Sequence, residues 1–262
     1  MKIVACIKQV PGTNDCTIDP ETKRLKREGV EAVLNPFDLY ALEQAMLLRE
    51  AVGGEVIALS MGPPQAETSL REALSCGTDR GVLLCDRAFA GSDTWATSYA
   101  LATAIRHLGG VELVLCGKQA VDGDTAQVGP GIAAHLGWPQ ATYVSAMPGV
   151  EGKRLTVRRM NEDGHDVLEV DLPAVMTVVK DLNTPRVPTL RSCLAARKAT
   201  VTVLTAADIG ADARCLGLDG SPTRVVKTSP PPPRGTKTVH IAGDGRTCAR
   251  QIVHELRMKS LV

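Results

Sequence analysis

Residues 117–130 form the densest cluster of side chains that could bind a ligand. They read Gly-Lys-Gln-Ala-Val-Asp-Gly-Asp-Thr-Ala-Gln-Val-Gly-Pro and stand between a strongly apolar run and a predicted helix. In an open α/β sheet, ligands collect beyond the carboxyl ends of the strands, and a helix that begins there offers unpaired N–H groups to a phosphate. Gly117 and Gly123 would let the backbone approach a ligand closely, and Thr125 could cap the helix or donate its hydroxyl to a phosphate oxygen.

The charges of this segment complicate the binding of a phosphate. Asp122 and Asp124 would repel it, so we expect their carboxylates to accept hydrogen bonds from ribose hydroxyls or backbone amides, and Lys118 is the one nearby cation. The segment matches neither a Walker A loop nor the Gly-x-Gly-x-x-Gly fingerprint, which argues against the ATPases and dehydrogenases that carry those motifs. It therefore predicts a nucleotide site of another kind, with a capped loop that holds no ligand as the alternative.

A second set of residues could line the same crevice. Each of them lies in or just after a predicted strand, or at the start of a predicted helix that Asn35 would cap and Pro36 would begin. For each residue alone, core packing or helix capping is the alternative explanation. The set consists of Ala5, Asn35, Pro36, Phe37, Asp38 and Met61.

The sequence contains no recognisable catalytic arrangement. Its five histidines are scattered without metal-ligand spacing, and Ser145 and Ser192 lack the Gly-x-Ser-x-Gly context of a hydrolase nucleophile. No two of the eight cysteines are three positions apart, so we expect reduced, structural thiols. A net charge of +1 argues against nucleic acid as a partner, and no apolar run approaches the ~20 residues of a membrane span. These features favour a cytoplasmic protein without membrane insertion.

The candidate residues are set in an alternation of strands and helices. Short apolar runs such as residues 2–7 and 111–116 predict strands, whereas residues 37–52 and 94–108 have the apolar spacing of helices. Repeated alternation of this kind predicts an α/β fold with a Rossmann-like, mostly parallel sheet and helices on both faces. We assign residues 1–200 to this nucleotide-binding domain.

Residues 201–262 are expected to form an extended C-terminal arm. The apolar spacing becomes irregular beyond Leu204, and the proline run at 230–233 must be extended. An amphipathic helix is predicted from about Thr247 to Met258. An arm with little core of its own needs a surface to lie on, which the same domain or a partner subunit could supply. We assign it to a partner subunit.

Several blocks of the sequence resemble electron-transfer flavoprotein β subunits. The blocks occur in the order of the family and cover nearly the whole chain. They are residues 2–8, 35–38 with 41–43, 77–81, 117–120 with 122–125, 138–140, 172–175 and 183–190.

The resemblance implies a heterodimer in which the α subunit carries one FAD and the β subunit holds an adenine nucleotide in its own α/β domain. It also implies that Leu190 anchors a recognition loop in an acyl-CoA dehydrogenase-type partner, the alternative being a leucine that packs under its own loop. The nucleotide is expected to contact the second set named above together with Gly117, Lys118, Gln119, Ala120, Val121, Asp122, Gly123, Asp124, Thr125, Ala126, Gln127 and Val128.

Members of this family differ in what the β subunit binds. Ordinary members hold AMP, and their loop reads Asp-Asp-Asp followed by Cys or Ser and then Asn. This chain reads Asp-Gly-Asp-Thr-Ala-Gln-Val-Gly-Pro, as in members that bind a second FAD. The resemblance therefore implies a second, β-bound FAD, with AMP as the alternative. In such members a hydride from NADH supplies one electron to the α flavin and one to a low-potential acceptor such as ferredoxin or flavodoxin.

Two other functions stay open at this point. One is a conventional AMP-binding β subunit that helps carry electrons from acyl-CoA dehydrogenases to a membrane quinone reductase. The other is a stand-alone ATP-binding regulatory protein on a similar α/β fold. In the favoured function the chain is an electron-carrier subunit that oxidises NADH only as part of a flavoprotein complex.

Overall fold

The computed structural model describes residues 1–12, 32–226 and 238–262. The chain divides into two compact units, Met1–Lys227 and Thr228–Val262. The proline run at 230–233, which was predicted to be extended, lies outside the described residues. Within the described parts of the chain, every helix is too short or too polar to cross a membrane.

Strands and helices alternate along the described residues of the first unit. The strands are β1 (Lys2–Cys6), β2 (Gln9–Pro11), β3 (Ala32–Leu34), β4 (Glu55–Met61), β5 (Arg80–Leu84), β6 (Leu113–Gly117), β7 (Gln140–Glu151), β8 (Arg154–Met160), β9 (His165–Asp171), β10 (Ala174–Val178) and β11 (Val201–Leu204). The helices are α1 (Pro36–Val52), α2 (Glu67–Cys76), α3 (Thr94–Leu108), α4 (Val128–Leu136) and α5 (Leu190–Lys198).

Nine strands form one sheet in the order β11-β5-β4-β1-β6-β10-β7-β8-β9. The strands from β11 to β7 run parallel to their neighbours, whereas β8 pairs antiparallel with both β7 and β9. β1 lies inside the parallel part because the chain first adds β4 and β5 on one side of it and then crosses to add β6 on the other. The prediction of a Rossmann-like, mostly parallel sheet is confirmed.

Helices cover both faces of this sheet. α1 and α2 pack on one face, where Leu42 and Leu70 are fully buried, and α3 and α4 pack on the other with Ile105 and Ile132. The inner strands β1, β4, β6 and β10 are largely apolar on both sides because both of their faces are covered. Gly129 lets α4 approach the sheet, since a Cβ at this position would lie 2.3 Å from the Thr177 side chain.

Most of the predicted elements are confirmed. The helix over Thr94–Leu108 begins after Asp93, whose carboxylate accepts hydrogen bonds from the backbone N–H groups of Trp95 and Ala96. Farther along the chain, β8 and β9 form an antiparallel pair, and β10 pairs parallel with β6. The sequence analysis missed β7, which contains Pro148 and Gly149, and it missed β11, a four-residue edge strand with no strong periodic signal.

Residues 201–226 belong to the first unit. β11 pairs with β5 at the edge of the sheet, and Ile209 and Leu216 are buried in the core on the α3 face. The compact unit therefore continues past residue 200, where the sequence analysis ends the domain. That the chain beyond this unit packs on a partner subunit stays a prediction.

The described part of the second unit contains the helix α6 (Gly245–Met258). Asp244 caps it, because its carboxylate accepts a hydrogen bond from the Thr247 N–H at 2.7 Å. None of residues 238–262 is buried, and Ile252 and Val253 are each nearly half exposed. The predicted terminal helix is confirmed.

Candidate functional site

The carboxyl ends of β1 and β6 meet where the chain changes direction across the sheet. From β1 the chain continues to β4 and β5 on one side, whereas β6 and β10 lie on the other. The helices that follow these two strands pack on opposite faces, α1 on one and α4 on the other. Connections that diverge in this way leave a crevice beyond the strand ends, and open α/β sheets bind their ligands in such crevices.

Asn35 joins the start of α1 to the loop after β6. Its side-chain amide donates to the Gln119 carbonyl oxygen at 2.9 Å and to the Asp38 carboxylate at 2.8 Å, and its side-chain oxygen accepts from the Val121 N–H at 3.1 Å. Only 1% of Asn35 is exposed. It stands at the N-cap position, but its side chain makes no capping bond to α1. The predicted capping role is therefore wrong, and the amide instead ties two predicted site segments together.

Asp38 is a buried carboxylate in the same wall of the crevice. It accepts hydrogen bonds from the Lys8 backbone N–H at 2.8 Å and from Asn35. Burial raises the pKa of Asp38 to about 7, although hydrogen bonds from Asn35 and from the backbone of Lys8 and Gly117 oppose the rise. A Cβ at Gly117 would lie 2.4 Å from Asp38 Oδ1. Gly117 thus makes room for the first turn of α1, and the close approach of its backbone to a ligand stays a prediction.

Both acidic side chains of the loop after β6 have partners within the protein. The Lys8 ammonium lies 2.7 Å from the nearer Asp122 carboxylate oxygen, and the Gln119 amide donates to Asp124. These contacts reduce the repulsion that the two carboxylates would exert on a phosphate. The expectation that Lys118 is the one nearby cation is wrong, because Lys8 is a second. Its position just after the first predicted strand was the signal that could have identified it.

The loop has an unusual backbone next to an open position. Asp124 and Ala126 adopt left-handed conformations, with φ of 53° and 54°. Residues other than glycine rarely do so, and such strain is often found at binding sites. A Cβ at Gly123 would have no neighbour within 4 Å, so the loop leaves space there.

The helix after this loop starts later than the sequence analysis predicts. α4 begins at Val128 rather than at Thr125, and no side chain in the described part of the chain caps its first turn. Thr125 is exposed and stands two residues before the N-cap position. Gln127 stands at the N-cap position, where its side-chain oxygen instead accepts from the Thr94 hydroxyl at 2.8 Å. The first N–H groups of α4 are thus free of side-chain caps, as a helix start that binds an anion requires.

Lys118 lies between two aromatic rings. Its ammonium nitrogen is 5.2 Å from the centre of the Phe37 ring and 5.7 Å from that of Tyr143. Tyr143 also has a left-handed backbone, with φ of 57°, where the pairing of β7 and β10 is irregular. The structure thus adds Tyr143 to the neighbourhood of Lys118, and no pattern in the sequence indicated this residue.

The remaining predicted residues lie at the same edge of the sheet, with one exception. Ala5 is fully buried in β1 and is not exposed at the crevice, so its predicted contact with a nucleotide stays a prediction. Met61 ends β4, the strand next to β1, and Pro36 is exposed at the start of α1. Leu190 is the first residue of α5 and is 78% exposed. The alternative in which Leu190 packs under its own loop is therefore excluded.

One cleft among the described residues lies away from this crevice. It has a volume of about 450 Å³ and lies between the second half of α1 and β7, lined by Leu47, Leu48, Val52 and Met147. No group of three or more His, Cys, Asp or Glu side chains in the described ranges could hold a metal ion. The candidate site is thus an open crevice built from strand ends and helix starts.

Comparison with known proteins identifies a family for this chain. The electron transfer flavoprotein domain matches residues 22–209. The chain is 53% identical over 232 residues to the electron transfer flavoprotein subunit beta of Thermoanaerobacterium thermosaccharolyticum, a match that covers 88% of each chain. It is 44% identical, over the full length of both chains, to subunit CarD of the caffeyl-CoA reductase-Etf complex of Acetobacterium woodii. It is also 47% identical to protein FixA of Azorhizobium caulinodans, over 92% of this chain and 88% of that one.

Proposed function

Because the chain belongs to the electron transfer flavoprotein family as a β subunit, we propose that its crevice binds a second FAD and that it supports NADH-dependent electron bifurcation. β subunits of this family pair with an α subunit and serve dehydrogenase-type partners. The family assignment argues against a stand-alone ATP-binding regulatory protein.

The observation that carries this proposal is the pairing of charges in the loop after β6. Lys8 contacts Asp122, and Gln119 contacts Asp124. Because both carboxylates of the loop have partners within the protein, they repel a phosphate less strongly. A dinucleotide such as FAD brings two phosphates; Lys118 provides a cation for them near the crevice, while Lys8 offsets the charge of Asp122. The open position at Gly123 adds room for a ligand larger than AMP. The residues present therefore fit FAD.

We assign the protein's part in the reaction to binding and orientation. When bound, FAD would accept the two electrons of a hydride and pass them on singly, and this chemistry belongs to the cofactor. Asn35 and Asp38 would hold the loop after β6 against the start of α1. The uncapped N–H groups at the start of α4 would face the phosphates.

AMP is the alternative ligand, and it would make the chain part of a conventional single-flavin carrier. Flavin counting separates the two functions. The αβ heterodimer is purified from its host, its nucleotides are released by denaturation, and FAD and AMP are quantified by chromatography. We expect two FAD per heterodimer and no stoichiometric AMP. One FAD and one AMP per heterodimer would contradict the proposal.

A second measurement tests bifurcation apart from cofactor content. The heterodimer with its dehydrogenase partner, supplied with the enoyl-CoA that this partner reduces as the high-potential acceptor, should oxidise NADH with concurrent reduction of ferredoxin or flavodoxin. Two bound FAD without this coupled reduction would support the cofactor assignment and contradict the proposed electron bifurcation.

We propose in addition that Leu190 is the anchor for an acyl-CoA dehydrogenase-type partner. The leucine is exposed on a helix whose N-terminal Thr189 caps it, a geometry that suits a small transient interface. One relative is by its name a subunit of a caffeyl-CoA reductase complex, which supports a partner that acts on CoA thioesters. Leu190→Ala should raise the KM for the partner, whereas Val203→Ala, at another exposed apolar residue, should not.

The C-terminal residues are proposed to pack on the α subunit. α6 carries apolar side chains that are partly exposed, as a helix that docks on another surface would. Deletion of residues 229–262 should abolish heterodimer formation while the first unit keeps its fold, as judged by co-purification and circular dichroism. Heterodimer that survives the deletion would contradict this assignment.

A further inference from the structure

Residues 183–198, called here the recognition segment, have little hydrophobic anchoring of their own. α5 is nine residues long, and Ala196 is its buried residue. Leu190 and Leu194 are 78% and 50% exposed. Because so short a helix is marginal in water by itself, its position must depend on contacts with the rest of the unit.

Arg186 makes a dense set of such contacts four residues before Leu190. Its backbone N–H and Nε donate to one Glu43 carboxylate oxygen at 3.0 and 2.8 Å, and Nη2 donates to the other at 2.9 Å. Its two terminal nitrogens also donate to the Glu50 carboxylate at 2.7 and 3.3 Å. Glu43 and Glu50 lie on α1, so one guanidinium attaches the segment to that helix through charge-assisted, bidentate bonds.

Neighbouring polar contacts act in the same direction. The Asn183 side-chain amide donates to the Tyr40 carbonyl oxygen at 3.0 Å, again on α1. At the far end of α5, Arg71 of α2 donates to the carbonyl oxygens of Ala196 and Ala199 at 3.0 and 3.2 Å. The recognition segment is therefore mounted on α1 at its beginning and on α2 at its end.

We infer that Arg186 is a positioning residue, which with Glu43 and Glu50 holds Leu190 in the orientation that the partner dehydrogenase binds. The inference rests on the proposed recognition role of Leu190 and adds three charged residues that determine how this leucine is presented. The Glu43 side chain is only 6% exposed, so it is out of reach of a partner and acts through Arg186. Because the partner cannot touch the Glu43 carboxylate, an effect of a Glu43 substitution on partner binding would indicate positioning rather than direct contact.

Electron transfer from a dehydrogenase to the purified αβ heterodimer tests the inference. The donor is an acyl-CoA dehydrogenase that reduces the wild-type heterodimer, supplied with its acyl-CoA, and the heterodimer concentration is varied. Arg186→Gln and Glu43→Gln should each raise the KM for the heterodimer about tenfold with little change in kcat, as expected if the binding orientation is populated about a tenth of the time. Arg80→Gln, which removes an ion pair with Glu55 elsewhere on the surface, is the matched control and should change neither constant.

Two further variants sharpen the test. The double variant Arg186→Gln/Glu43→Gln should have the same KM as Arg186→Gln, because both substitutions remove one shared contact. Glu50→Gln should raise the KM by a smaller factor, since this carboxylate is 48% exposed and accepts two of the five hydrogen bonds. If Glu43→Gln fails to fold, Arg186→Lys replaces it; lysine keeps the charge but loses the bidentate geometry, and an intermediate KM is expected.

The possible outcomes separate the inference from the function on which it rests. A higher KM for Leu190→Ala together with wild-type constants for Arg186→Gln and Glu43→Gln would overturn the positioning role and leave the anchor in place. A wild-type KM for Leu190→Ala would overturn the anchor and the positioning role together. A higher KM for Arg186→Gln with none for Glu43→Gln or Glu50→Gln would show that Arg186 contacts the partner directly, and it too would overturn the inference.

Discussion

Replacing Asn35 with alanine should loosen the crevice at the point where α1 meets the loop after β6. The variant loses three side-chain hydrogen bonds of 2.8, 2.9 and 3.1 Å and leaves the Gln119 carbonyl and the Val121 N–H without these partners. A hydrogen bond contributes ~1 kcal/mol, so we expect the free energy of unfolding to fall by about 3 kcal/mol. For a unit of this size, that loss lowers Tm by about 6–12 °C. The affinity for the nucleotide should fall as well, because the loop is no longer held in place.

Asn161→Ala is the matched control for this substitution. Asn161 lies in the turn between β8 and β9, where its side chain also donates to Asp166 at 2.8 Å and accepts from the Asp163 N–H at 3.0 Å. It is exposed, so water can replace those bonds, and we expect a loss of less than ~1 kcal/mol. Scanning calorimetry of the purified heterodimer measures Tm, and titration calorimetry measures the affinity for FAD or AMP.

Two results would refute the reasoning about Asn35 in different ways. Equal Tm losses for Asn35→Ala and Asn161→Ala would show that the buried bridge is no stronger than an exposed turn. A large Tm loss with unchanged nucleotide affinity would show that Asn35 supports the fold but does not organise the site.

Three further predictions concern pH, packing and charge. Because burial raises the pKa of Asp38 to about 7, the native state binds the carboxyl proton more tightly than the unfolded chain does between about pH 4 and pH 7. The stability of the wild type relative to Asp38→Asn should therefore fall by up to ~1.4 kcal/mol per pH unit as the pH rises across that range, and it should level off above it. Thermal unfolding at pH 5, 6 and 8 measures this dependence. Gly129→Ala places a Cβ 2.3 Å from the Thr177 side chain and should lower the free energy of unfolding by about 1–3 kcal/mol, whereas Gly149→Ala, with open space around its Cβ, should cost less than ~1 kcal/mol in a urea titration. Lys8→Gln breaks a partly exposed ion pair, so Tm should change little. The dissociation constant for the nucleotide, measured by titration calorimetry, should rise about fivefold. A dissociation constant equal to that of the wild type would show that Lys8 does not contribute to nucleotide binding.

The sequence by itself determined the class of fold and the type of most elements. Buried parallel strands are apolar on both sides and amphipathic helices repeat every three to four residues, so β1, α1, α3 and β6 are readable from local spacing. The glycines that follow α1 and α2 also indicate where these two helices end. The ordered blocks at 35–38, 117–125 and 183–190 also indicated the family that the comparisons then established.

Other features of the candidate site became clear only in the tertiary structure. Lys8 contacts Asp122 across 114 positions of the chain, Asn35 reaches Gln119 across 84, and Arg186 reaches Glu43 across 143. Such pairs depend on the order of the strands in the sheet and on the angle at which each helix crosses it, and neither is encoded in local periodicity. The same limit explains why the close contact of Gly117 with α1 was not predicted, and why the start of α4 was placed three residues too early. Spacing along the chain identifies which residues can do chemistry, but packing decides which of them meet.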